Sequence, residues 1–126
     1  MSVVNARWRA AYFASQAGAT LAWWLTIAAV PACRRRFAFG DDGGSLVQFL
    51  PADVIFWMIG SCIAAWGERS DASWRQAARL CLAGALACSL VHATSVAVGA
   101  GAGWAGVVLM LPAVAMTWWL AWCCEH

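Results

Sequence analysis

Residues 77–98 read AARLCLAGALACSLVHATSVAV and residues 104–123 read WAGVVLMLPAVAMTWWLAWC, with GAGAG between them. Each stretch is long enough, at about 1.5 Å of rise per residue, to cross the roughly 30 Å hydrocarbon core of a bilayer. A glycine-alanine connection this short leaves room only for a direct return, so the two stretches predict a tight antiparallel helical hairpin. Pro112 falls near the middle of the second, where it removes a backbone hydrogen bond, leaves the carbonyl of Val108 free and kinks the helix. In the first, small residues recur every fourth position, Ala83 with Ala87 and Gly84 with Cys88, the spacing that lets helices approach closely in lipid. Ala83, Gly84, Ala87, Cys88 and Pro112 are therefore the predicted packing positions.

Two further apolar runs precede this pair. Residues 12–32 follow Arg7 and Arg9 and end at Arg34, Arg35 and Arg36. Residues 51–66 open with Pro51, which suits the first turn of a helix, and with Asp53 beside the positive end of the helix dipole. Between these runs, Gly40, Asp41, Asp42, Gly43 and Gly44 supply loop chemistry. Residues 67–76 form a polar connector in which Asp71 or Ser73 is placed to cap the next helix.

The composition agrees with a chain that lives in lipid. Of 126 residues, 63% are hydrophobic and only 11% charged, and every basic residue is arginine. A water-facing surface needs far more charge. Ten tryptophans are present, and Trp8, Trp66, Trp74, Trp104 and Trp122 fall near run ends, where indoles favour the headgroup boundary. The net charge of +2 on dispersed arginines argues against nucleic acid as a partner. The prediction is all-α: one integral membrane domain, a four-helix bundle with spans at 12–32, 51–66, 77–98 and 104–123. Its expected place is the cell membrane, bacterial and cytoplasmic in type. Arginine counts favour both termini in the cytoplasm, with Arg7, Arg9, Arg69, Arg75 and Arg79 inside against Arg34, Arg35 and Arg36 outside.

Three features invite chemistry. His92 lies deep in the third run, and an ionisable group at that depth marks a functional position. Its neutral ring can ligate haem iron or chlorophyll magnesium; alternatively, it donates to the Val108 carbonyl that Pro112 frees. Asp53 offers a carboxylate for a cationic substrate or a proton, or simply starts a helix. The six cysteines include no C-x-x-C pair, so no metal site is predicted, and they read as small apolar residues. Val30 to Cys33 is similar to a lipobox, which would make Cys33 a lipidation site.

Gln16 and Ala17, Trp23 and Trp24, Pro31 to Arg34, Leu50, Pro51 and Asp53, Gly60 and Ser61, and Gly103, Trp104 and Leu109 to Ala113 together form a recognisable set. The set resembles the N-terminal membrane region of bacterial isoprenylcysteine carboxyl methyltransferase-like proteins, over most of this chain. The resemblance implies a helical scaffold that holds a prenyl or acyl chain between helices. The catalytic part of those proteins, with its S-adenosylmethionine site and Arg-His-Pro motif, has no counterpart here, so no catalytic residue carries over. The chain would then be a truncated or repurposed scaffold.

The expectation is a noncatalytic accessory or structural subunit of a larger membrane assembly, respiratory or photosynthetic in kind, with lipids and other subunits or a second copy as partners. The alternatives are the lipid-binding methyltransferase relative and a small dimeric transporter that works through Asp53 or His92.

Overall fold

The structure, a computed structural model, describes residues 5–39 and 44–123. The expected turn at Gly40 to Gly43 and the terminal Cys124, Glu125 and His126 lie outside these residues. Among the described residues all regular structure is helical. Three helices are long and apolar enough to cross a membrane, and the first helix passes the same test together with a short helix bent from it by 110°.

Helix α1 runs from Ala6 to Ala29, with the Asn5 side chain accepting a hydrogen bond from the Arg7 backbone at 2.9 Å. It is not one straight span over 12–32. Proline disfavours helical backbone in the residue before it, and Val30, ahead of Pro31, is extended with φ −117° and ψ 98°. The chain turns there into α2, Pro31–Phe37. Arg34 then reaches back, donating from Nε to the Ile27 carbonyl at 3.2 Å and from Nη2 to the Ala28 carbonyl at 2.9 Å. Those carbonyls lack partners within their own helix, so one arginine of the triplet serves as a C-terminal cap.

The second run is also longer than 51–66. Helix α3 is continuous from Gly44 to Arg69, but it changes pitch along the way. A tight 3-10 stretch, Gly44–Phe49, leads into Leu50–Ala52; a wide π stretch, Asp53–Ile59, follows, and Gly60–Arg69 is ordinary α-helix. Pro51 thus lies inside the helix, with the departures from α pitch flanking a residue that cannot donate to the ladder. Asp53 does not start the helix; it opens the π stretch.

Helix α4 covers Arg75–Ala100 and α5 covers Trp104–Cys123, the latter unbroken through Pro112. Neither Asp71 nor Ser73 caps α4; Asp71 instead forms an ion pair with Arg75, one turn on. Between α4 and α5, Gly101 and Gly103 adopt left-handed backbone, with φ 65° and 83°.

The helices are tied together at one end by buried charge. Glu68, near the end of α3, is 2% exposed. Its Oε2 accepts from Arg9 Nε of α1 at 2.7 Å, and Arg79 Nη1 of α4 lies 3.0 Å from its Oε1. The second pair is a charge contact without hydrogen-bond alignment. Arg79 also donates to Gln76, whose Nε2 donates to the Ala121 carbonyl of α5 at 2.7 Å. Trp8, Trp66, Trp74 and Trp122 surround this end of the molecule and are exposed, as a belt requires.

Beyond the charges lies a core of Phe13, Leu86 and Leu120, all fully buried, with Ala64, Leu82 and Val114 around them. The buried stripe of α4 is Arg79, Leu82, Ala83, Leu86, Ala93 and Ala97. This corrects the predicted packing positions. Ala83 is on the stripe, Ala87 is half-buried, and Cys88 and Pro112 are exposed. A Cβ at Gly84 would meet nothing within 4 Å. The inward stripe instead combines Leu82 and Leu86 with Ala83, Ala93 and Ala97, the alanines supplying the small residues that let neighbouring helices approach.

Two predictions follow from the fold. Replacing Glu68 by Gln leaves two buried arginines facing each other and lowers stability by about 3 kcal/mol, read by tryptophan fluorescence during denaturant unfolding in mild detergent. A change no larger than that of Asp71→Asn would contradict the buried triad. Gly103→Ala is more damaging than Gly101→Ala. Both incur left-handed strain of about 1–2 kcal/mol, but only the first places a Cβ inside the Phe39 ring.

Candidate functional site

On the side of the core away from the charges, the helices enclose a cavity of about 580 Å³. The exposed residues of its lining are Ser15 and Ala19 on α1, His92 on α4, and Leu109, Pro112 and Met116 on α5, most of them along the two helices α1 and α5. These two helices do not pack along their lengths. The opening therefore lies on the lateral face, at the depth of the spans. Inside, Ala93 and Val107 form part of the wall, and the aromatic rings of Trp24, Phe49 and Trp57 form much of the rest.

Below the mouth, α1 and α5 are bridged by polar groups. The Tyr12 hydroxyl donates to the Ala113 carbonyl at 3.1 Å and lies 3.2 Å from Thr117 Oγ1; Thr117 in turn donates to Gln16 Oε1 at 3.2 Å. Thr117 is fully buried. In lipid such bonds have no water to replace them, so they hold two helices that otherwise make little contact.

Asp53 projects into this cavity from the first turn of the π stretch, and its Oδ2 accepts a hydrogen bond from Trp24 Nε1 at 3.0 Å. Among the described residues no donor meets its other oxygen. Widened helical turns of this kind recur where a side chain must be aimed. Two lining residues, Gln16 and Trp57, hold buried donors without acceptors, Nε2 and Nε1, both closed off from the open space of the cavity.

His92 lines the same cavity, so the structure brings together the two ionisable residues that the sequence singled out. It does not place His92 on the Val108 carbonyl. The imidazole makes no hydrogen bond; it is exposed and stands 5.2 Å from the Phe49 ring, which itself lies 5.1 Å from Phe39. The 3-10 stretch that begins α3 inserts Phe49 beside the imidazole.

The cysteines are scattered. Cys62, Cys81 and Cys88 are exposed free thiols, and Cys33 is half-buried against Ile27, Ala38 and Leu46. Among the described residues no group of histidines, cysteines and carboxylates is arranged to hold a metal ion.

Sequence reading missed Tyr12, Gln16, Trp57 and Thr117. A signal was present: Gln16 is the only amide inside the first apolar run, and Thr117 the only hydroxyl in the last. No protein-family model matches the chain, and no curated protein or solved structure is significantly similar to it.

The site yields a paired test. Tyr12→Phe removes the tyrosine hydroxyl's part of the bridge from α1 to α5, leaving the Thr117 to Gln16 bond, and lowers stability by about 1 kcal/mol. His92→Leu shifts stability by less than about 0.5 kcal/mol, as for a side chain without polar partners. Both are measured by unfolding in detergent. A larger cost at His92, or loss of an absorption band with it, would show that the ring holds a partner.

Proposed function

We propose that this chain is a noncatalytic four-span membrane protein that holds the apolar chain of an amphiphile in its lateral cleft. In this reading α1 is the fourth span, α2 lies along the membrane boundary, and α4 and α5 form the antiparallel hairpin of a four-helix bundle. Both termini face the cytoplasm of a bacterial cell. The observation that carries the reading is the cavity of about 580 Å³, which is within the usual size of ligand sites and opens at the depth of the lipid tails.

The lining supports it. An apolar chain entering from the bilayer meets a mouth that is mostly apolar, with Ala19, Leu109, Pro112 and Met116 beside Ser15. The prenyl or acyl chain implied by the methyltransferase resemblance is one such occupant.

A second reading, an accessory subunit or homo-oligomer, draws on the outer face of α4. Gly84 and Cys88 present a small-residue surface there with nothing against it in a single copy. A partner helix would fit it.

Mass spectrometry of the protein released intact from mild detergent tests the first reading. Wild type should carry a bound amphiphile, and Gly106→Leu should lose at least nine-tenths of it. Position 106 lines the cavity and has free space for a Cβ, so a larger side chain fills the cleft without disturbing the fold. Wild type without any bound amphiphile, or a Gly106→Leu variant that keeps it, would overturn the proposal. Copurifying protein chains in fixed ratio would support the second reading.

A further inference from the structure

The chemistry of the cleft specifies the head of its ligand as well as the tail, and the inference rests on the cleft being a ligand site. Among the described residues its ionisable lining groups are Asp53, His92 and Tyr12, with no arginine. Asp53 is the one carboxylate among the described lining residues. An anionic head would meet it in a low-dielectric surround with no arginine beside it.

The carboxylate is half engaged. Trp24 Nε1 satisfies Oδ2, and among the described residues none donates to Oδ1. Around it the lining is aromatic: Trp24 itself, Phe49 about one turn before Asp53 on α3, and Trp57 about one turn after. Phe49 continues the surface through its ring contact with Phe39, and Trp23 packs edge-on against Phe37 at 4.5 Å nearby in the same lining. Aromatic faces carry negative potential and attract cations, quaternary ammonium groups above all, and an acid among such faces adds a formal charge. A small, strongly hydrated metal ion would find too few oxygen ligands here.

We infer that Asp53 and the aromatic rings around it form a site for the organic cation at the head of a lipophilic ligand, a quaternary ammonium or alkylamine whose tail fills the cleft. The cation lies against the free carboxylate oxygen, and the alkyl groups on its nitrogen contact the rings of Phe49 and Trp57. Asp53 is then a specificity-determining residue, with Trp24 holding its carboxylate in position.

The test compares octyltrimethylammonium with its uncharged carbon isostere by equilibrium dialysis against the purified full chain in an uncharged maltoside detergent. Wild type should bind the cation about tenfold more tightly, equivalent to ~1.4 kcal/mol. Asp53→Asn should reduce the cation to the affinity of the isostere while leaving the isostere unchanged, which also shows that the variant is folded. If the variant binds neither probe, the wild-type ratio alone decides. Equal affinity of wild type for both probes would overturn the cation site yet leave the cleft as a chain-binding site. Binding of neither probe by wild type would remove both readings.

Discussion

A buried carboxylate between two arginines governs this molecule. Glu68 accepts from Arg9 of α1 and faces Arg79 of α4, and Gln76 extends the contact to the backbone of α5. Charges taken out of water are stable only when matched at close range, and here the match is possible only if these helix ends gather at one level. The contact also fixes which faces turn inward. Once Arg79 points to Glu68, Leu82, Ala83 and Leu86 follow on the same stripe of α4, and the exposed stripe is left with Gly84 and Cys88.

The cleft is the complement of that constraint. With α1 held at its start by Arg9 and one turn later by Tyr12 and Gln16, its outer half is free to diverge from α5. The break at Val30 then carries the chain across the end of the cleft, and the aromatic residues of α2 and the residues after it line the space. Tight packing at one end and an open cavity toward the other arise from the same arrangement.

Much of this was legible in the sequence, and the exceptions have physical causes. Apolar length and tryptophan placement located helices fit for a membrane because lipid imposes that pattern locally. Glu68 read as part of a polar connector because its arginine partners lie on other runs; only the shared level of three run ends could have joined them. Pro31 was visible, but whether a proline kinks a helix or turns the chain depends on groups such as Arg34 that cap the exposed carbonyls. Pro51 read as a start signal because the changes of pitch that admit it inside a helix leave no local mark. Asp53 and His92 were singled out by type. What brought them into one cavity was the fold, and the side chains around them are mostly aromatic or aliphatic residues that look like ordinary core.

The π stretch of α3 reconciles two separate demands on one rod. Glu68, near its end, must keep its angular position toward the arginines, while Asp53, at the start of the π stretch, must point at Trp24 and the cavity. A wider turn holds more residues per revolution, so residues 53–59 rotate the upper half of the helix relative to the lower. The stretch therefore acts as a phase shifter, and the aim of Asp53 relative to Glu68 depends on the number of residues within it.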